Sequence, residues 1–380
     1  MQRRTFVADA AGLAALPLAA LMLPEAKGAQ APRLPATARS AAGLPSRAHV
    51  VGVMRRVNDH WIGTHGEPRT NDWAHATYHS GNMALYRLTG EKRYLSHTTR
   101  WAEAFDYRLL RDGSPRFADH QCAGETYLDL HDIYRDPAMI TDIEASVRAM
   151  AGTGVTDWTW VDALHMAMPA WARLGRLRDD PSLHADLARR YTHTRDAEGG
   201  GLYDAATGLW WRDRRFIPPS RTRLGGTRMV VWSRGNGWAL AALAKTLRAL
   251  PSDAPLVATY RADFLRMSRG LAEVQRPDGF WNPNLDDPAH HGGPETSGTA
   301  FFTFGLAWGV RAGLLPRNEF LPVIARAWRA LASAAARPNG FLGYVQPAGD
   351  RPAPAMLRST TDFGVGGFLL AGTEVARLIR

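Results

Sequence analysis

The chain reads as an all-α protein, a helical toroid with its long loops gathered at one end, and two features predict it. Segments with helical apolar spacing recur from about residue 48 to the C-terminus, each closed by a Gly, Pro or Asn turn. Stretches that alternate apolar and polar residues for long enough to build a sheet are scarce. Together these predict about ten to twelve helices joined by long loops rich in Gly and Trp. In order, 81–88 runs into Thr89-Gly90, where Gly supplies a C-cap, and 164–174 ends at Gly175. Residues 238–250 stop before Pro251, 301–312 at Gly313, and 323–336 before Pro338-Asn339-Gly340. A last helix over 365–379 closes the chain. The best strand candidates, 209–213 and 229–232, predict one short hairpin carried on a loop. No fixed-period repeat or later break divides 48–380, which is expected to be a single domain.

The N-terminus is set apart from that pattern. Arg3-Arg4-Thr5-Phe6 precedes an apolar run from Leu13 to Leu23 and the small-residue stretch Gly28-Ala29-Gln30-Ala31. This order is that of an export signal over residues 1–31, and the paired arginines suggest the twin-arginine route. The apolar run is well short of the ~20 residues a spanning helix needs. A Pro/Ala/Arg linker over 32–47 follows, and the expected location is periplasmic or secreted.

Apolar content of 45% and charged content of 22% are those of a soluble globular chain. Cys122 is the only cysteine, so no intramolecular disulfide can form. The formal charge of +10 favours acidic partners, yet no basic run is interleaved with aromatics as strand-tracking requires. Nucleic acid is therefore not expected as a partner, nor is a membrane for the mature form. His290-His291 alone does not make a metal site, and Gly364-Val365-Gly366-Gly367 lacks the strand and the Lys-Ser/Thr of a phosphate loop.

Four segments combine carboxylates, aromatics and glycines beyond the needs of packing. In Asp157-Trp158-Thr159-Trp160-Val161-Asp162, the last carboxylate stands where an apolar helix begins. It is either an N-cap or a carboxylic acid held protonated by apolar walls, and the residues alone leave the two level. Asp119, in Phe117-Ala118-Asp119-His120-Gln121-Cys122-Ala123-Gly124-Glu125, carries the same ambiguity. Two such carboxylates at one rim of a toroid would suit glycosidic-bond chemistry. In Trp232-Ser233-Arg234-Gly235-Asn236-Gly237-Trp238 the glycines suggest a tight backbone that projects Arg234 and Asn236 into a cleft. Arg presents a planar fork that matches a carboxylate in two-point fashion, which would make Arg234 the cationic anchor if the substrate is a uronate, as the resemblance stated below implies. Trp73, Trp158, Trp232 and Trp238 offer flat faces for a pyranose. With 13 tryptophans several must be core, and sugar contact is expected of Trp158 and Trp232 first. His120 is set apart from the other histidines by its neighbour Asp119. The fourth segment, Gly293-Pro294-Glu295-Thr296-Ser297-Gly298-Thr299, adds Glu295 and Ser297 as candidate substrate contacts.

These strings, with Asp162-Ala163-Leu164-His165 and Asp362-Phe363-Gly364-Val365-Gly366-Gly367, resemble glycoside hydrolase family 105, the unsaturated rhamnogalacturonyl hydrolases and their relatives. The resemblance runs in order from about Trp73 to the C-terminus. It implies an (α/α)6 barrel, the six-hairpin toroid. It also implies removal of a 4,5-unsaturated uronic acid from the non-reducing end of lyase-generated oligosaccharides. An acid protonates C4 of the vinyl ether, water adds at C5, and the hemiketal opens. The proton donor corresponds to Asp162 and a second Asp to Asp119, and no metal or organic cofactor is implied. A monomer or weak dimer is expected. His120, where an acidic residue is usual, Glu125, where Gln is common, and Gly367, in place of Ala, depart from the pattern. Other readings of the same toroid are an inverting glycosidase, a sugar epimerase, or a non-catalytic periplasmic sugar-binding protein.

Overall fold

A computed structural model describes residues 43–111, 116–218 and 229–379, all within a compact unit spanning 38–380. The expected export signal, and most of the linker that follows it, lie outside the described residues. Twelve α-helices order the rest. The odd-numbered ones are α1 (Arg47–His65), α3 (Lys92–Glu103), α5 (Thr141–Met150), α7 (Pro181–Thr192), α9 (Val257–Glu273) and α11 (Arg317–Ala330). The even-numbered ones are α2 (Trp73–Thr89), α4 (Ala118–Tyr134), α6 (Asp162–Leu177), α8 (Ser233–Ala249), α10 (Thr296–Arg311) and α12 (Asp362–Leu378). Each even helix packs on the next, and α12 returns to α2, so the six close into a ring. Around it α3, α5, α7, α9 and α11 pack on α2, α4, α6, α8 and α10, and α1 packs on α12. This is the six-hairpin (α/α)6 barrel.

The two layers differ because their environments do. α10 is buried from Thr296 to Val310, as an inner helix must be, whereas α3 hides Tyr94, Leu95, His97, Thr98, Trp101 and Ala102 and exposes its polar side. Inner helices also approach too closely for ordinary side chains. A methyl added at Gly366 of α12 would lie 2.3 Å from the Thr77 carbonyl oxygen of α2. The contact is with backbone, which cannot swing away. Gly366→Ala is therefore expected to lower stability by about 1–3 kcal/mol or more, read by urea unfolding. An unchanged midpoint would show that the two helices can part without cost.

Closeness also explains where the sequence expectations fail at helix boundaries. α8 and α10 begin at Ser233 and Thr296, five residues ahead of the expected starts, and take the Gly-rich strings into their first turns. Gly175 does not end α6, which continues to Leu177; a methyl there would meet the His184 ring of α7 at 2.4 Å. Gly90, by contrast, caps α2 as expected, with φ of 74°. The expected hairpin is absent. Trp210 bridges Tyr203, Asp213 bridges Trp160, and Trp232 bridges Asn284, each an isolated pair. Side chains hold these segments instead. The Asn236 amide bonds the Trp210 N–H and C=O at 2.8 and 3.0 Å, and the Asn284 amide bonds Val231 N–H and Met229 C=O, both at 3.0 Å.

Candidate active site

Contacts at the two mouths of the ring show that the inner helices run the same way. At one mouth the first turns meet: Trp73 of α2 stacks on Phe363 of α12, and Arg234 of α8 lies 4.6 Å over the same Phe363 ring. At the other mouth the last turns meet, through Arg87–Asp129, Arg173–Asp129 and Arg311–Glu374. Helix N-termini carry unpaired N–H groups and a partial positive charge. The first mouth is thus the one suited to an anionic sugar. A cleft of about 570 Å3 opens there, lined by Phe117, Asp119, Trp160, Glu198, Arg212 and Arg215. That is ample for a sugar residue.

Asp162 is the first residue of α6 rather than its N-cap, a position that Val161 holds without a side-chain bond. The carboxylate is 7% exposed, and its Oδ2 accepts a 3.0 Å hydrogen bond from Nε of Arg212. Burial pushes its pKa above the ordinary carboxylate value, while the charges of Arg212 and Arg234 pull it part of the way back. Asp119, in the first turn of α4, faces the same cleft.

Arg234 does not present a fork to the cleft. It is 1% exposed, and its Nη1 and Nη2 donate to the main-chain oxygens of Gln346 and Pro347 at 2.7 and 2.9 Å. Its guanidinium is sandwiched between the rings of Trp232 and Phe363, each 4.6 Å away. Burial brings its pKa down to about 10, so it remains a fixed positive charge beneath the site. Four other candidates also belong to the scaffold. Asn236 is fully buried and spends its amide on backbone groups. Glu295 caps α10, accepting from Ser297 N–H, Ser297 Oγ and Gly298 N–H at 2.6–2.9 Å, so Ser297 is equally engaged. Trp232 is buried and donates its indole N–H to Gln346.

The tryptophans sort by depth. Trp158 is fully buried against the edge of Trp171, so it offers no face to sugar. Trp238 is packed among His165, Phe301 and Phe363. Trp73 is half-buried at the rim. The aromatic wall of the cleft is instead Trp160, stacked at 5.1 Å on the exposed ring of Phe117. Trp160→Ala is accordingly expected to raise KM for an oligosaccharide about tenfold with kcat nearly unchanged. Equal KM would remove Trp160 from the sugar path. His120 lines a separate cavity of about 190 Å3 beside Leu109 and Asp142 and touches Phe117 edge-on, so it backs the wall rather than facing the cleft.

Arg212, Trp160 and Phe117 were missed as site residues by sequence reasoning. Arg212 sat inside a strand candidate, and the only signal for Trp160 was its place two residues ahead of Asp162.

An all-helical six-hairpin barrel with a buried acid at its N-terminal mouth defines a class of carbohydrate-active enzymes, and sequence comparison assigns the family within it. Residues 48–379 match Glycosyl Hydrolase Family 88, and the chain belongs to that family. It is 31% identical over 332 residues to an unsaturated 3S-rhamnoglycuronyl hydrolase of Formosa agariphila, across 81% of this chain and 85% of that one. A protein of the same name from an Alteromonas species is 29% identical over 326 residues, across 80% and 77%. A solved glycosyl hydrolase family 88 structure from Bacteroides vulgatus superposes with a TM-score of 0.82 at 34% identity, covering 87% of this chain and 99% of that one.

Proposed function

We propose that this protein is a hydrolase that removes a 4,5-unsaturated uronic acid from the non-reducing end of oligosaccharides left by polysaccharide lyases. The observation that carries the reading is Asp162: a buried carboxyl beside the cleft, with its pKa raised by burial, in a chain whose relatives are named unsaturated rhamnoglycuronyl hydrolases. Protonating the C4 carbon of a vinyl ether requires an acid that still holds its proton well above the ordinary carboxylate range. Asp162 gives that proton to C4. Water then bonds to C5 and returns a proton to the Asp162 carboxylate, and the hemiketal at C5 opens to release the remaining sugar. Asp119, from the first turn of the neighbouring helix α4, is the second carboxylate at the cleft, positioned to hold the sugar or the water. Arg234 supports the site from beneath as buried positive charge.

The histidine pairs that would support an epimerase lie elsewhere, with His79 stacked on Trp101 and buried near His97. Lyase digests of rhamnogalacturonan, ulvan, heparinoids and alginate test the reaction directly. Loss of the ultraviolet absorbance of the C4–C5 double bond is expected on at least one digest. No loss on any, with release of saturated sugars instead, would replace this reading by an ordinary glycosidase.

The proposal extends to location: residues 1–31 direct export by the twin-arginine route, and the mature protein acts in the periplasm or outside the cell as a monomer or weak dimer. Replacing Arg3 and Arg4 by Lys should leave the protein in the cytoplasm on fractionation. Unchanged export would point to another route.

A further inference from the structure

Buried anchors cannot meet a substrate, and Arg234 is buried with both terminal nitrogens spent on main-chain oxygens. Among the described residues, Arg212, Arg214 and Arg215 line the cleft, and Arg212 is the one bonded to the acid. We propose that Arg212 receives the carboxylate of the unsaturated uronate, and that its exchange of Asp162 for the substrate is the event that leaves Asp162 protonated for catalysis. This rests on the hydrolase reading above and adds a step to it.

The geometry is that of a two-position cation. Arg212 lines the cleft with its side chain 21% exposed. Its Nε holds Asp162 Oδ2 at 3.0 Å by a single bond rather than a two-point fork. Its Nη1 donates to Asp213 Oδ2 at 2.8 Å. Asp213 is itself fixed by Arg215, through the backbone N–H at 2.9 Å and the guanidinium at 2.7 and 2.9 Å. Asp350 holds Arg215 from the far side at 2.7 Å. Asp213 can therefore keep Arg212 in place while its other edge changes partner. The remaining nitrogen, Nη2, bonds neither Asp162 nor Asp213 and is available to a uronate carboxylate. Two parallel N–H bonds to that carboxylate would be stronger than the single bond given up.

The consequence for Asp162 follows from charge. The groups acting on it are Arg212 from the loop ahead of α8 and Arg234 from α8, the latter also facing Glu295 of α10. Asp119 on α4 and Glu198 line the same cleft as Arg212. Substrate binding turns Arg212 toward a new anion and brings that anion close to Asp162. Both changes favour the neutral acid, so Asp162 takes up one proton from solvent as the complex forms. At a pH between the acid's values in the free and bound states, the empty enzyme would hold a carboxylate and the complex an acid.

Steady-state rates measured across about pH 4 to about pH 9 test this, because kcat/KM reports the free enzyme and kcat the complex. The alkaline limb of kcat is expected at higher pH than that of kcat/KM, by about one unit or more. In Arg212→Met the cation is gone from both states and only the approach of the substrate anion remains, so the kcat/KM limb should rise and the gap narrow while KM increases about tenfold or more. Arg212→Lys, which keeps a point charge without the fork, should retain part of the gap. A residue that merely shaped the wall would alter KM without moving either limb. Coincident limbs in the wild-type enzyme, or a gap untouched in Arg212→Met, overturn the exchange while leaving the hydrolase reading intact. Absence of turnover at every pH overturns the hydrolase reading instead.

Discussion

Replacing Asp162 by Asn is expected to lower kcat on an unsaturated uronide by about 10³- to 10⁴-fold, at the upper end of what a positioned acid contributes. The carboxamide has nearly the shape of the carboxyl and can still accept from Arg212, so KM should change little. What it lacks is a proton that it can give to carbon. Stability provides the control. The folded pKa of Asp162 lies above its ordinary 3.8, chiefly because of burial. A carboxyl with a raised folded value favours the fold below the unfolded value, and that contribution is lost as pH rises through the folded value. Above that folded value the ionised carboxylate is a buried charge, a cost that Asn does not carry. The thermal midpoint of Asp162→Asn should equal or exceed that of the wild type, as at other sites where function has been kept against stability. A variant that unfolds early would make the loss of rate a folding effect. A variant within about tenfold of the wild-type rate would remove Asp162 from the chemistry.

The fold class and the place of Asp162 at a helix start were legible in the sequence for related reasons. Helical apolar spacing survives burial, and Asp162 stands at a helix start wherever the exact boundary falls. The Gly-rich string 235–237 was misread because glycine has two uses. Between inner helices it answers to space, as at Gly237, where a methyl would sit 3.0 Å from Phe301 Cβ. In isolation the same letters read as a tight backbone that projects Arg234 and Asn236 into a cleft. Trp158 and Trp160 show a second limit. They lie two residues apart, one wholly buried and the other on the cleft wall, and what separates them is the bridge between Trp160 and Asp213. Arg212 was illegible for the same reason. Its place beside Asp162 depends on Asn236 pinning Trp210 and on the hydrogen bond from Val161 N–H to the Arg212 carbonyl, contacts made only when the ring closes. Glu295 looked like a substrate contact because a carboxylate next to Ser and Gly serves equally well as a cap.

Lys245→Met is expected to destabilise the fold by about 3–5 kcal/mol, a large part of a typical domain's margin. Lys245 lies near the last turn of α8, on the far side of the ring from α2 and α4. Its ammonium nonetheless donates to Glu125 of α4 at 2.7 Å and to Ser80 of α2 at 3.1 Å. Both charged side chains are nearly sealed from solvent, at 1% and 9% exposure. Taking two charges out of water costs several kcal/mol each, so such a pair adds little net stability but makes either partner expensive to remove. Methionine fills the space of the lysine stem and leaves Glu125 buried with no ammonium. Pairing it with Glu125→Gln removes the stranded charge, and the double variant should recover about half or more of the loss. A cycle measured by urea unfolding gives the coupling directly. Lys245→Met within about 1 kcal/mol of wild type would mean that Arg173, whose Nη1 already donates to the Glu125 carbonyl at 3.0 Å, can turn to replace the ammonium. The departure at Glu125 is thereby tied to Lys245, one of only three lysines in the chain. A compact ammonium can enter the barrel interior where a planar guanidinium would not fit as readily. The pair ties α8 to α2 and α4 across the ring, and both side chains line a second cleft of about 570 Å3 at the far mouth.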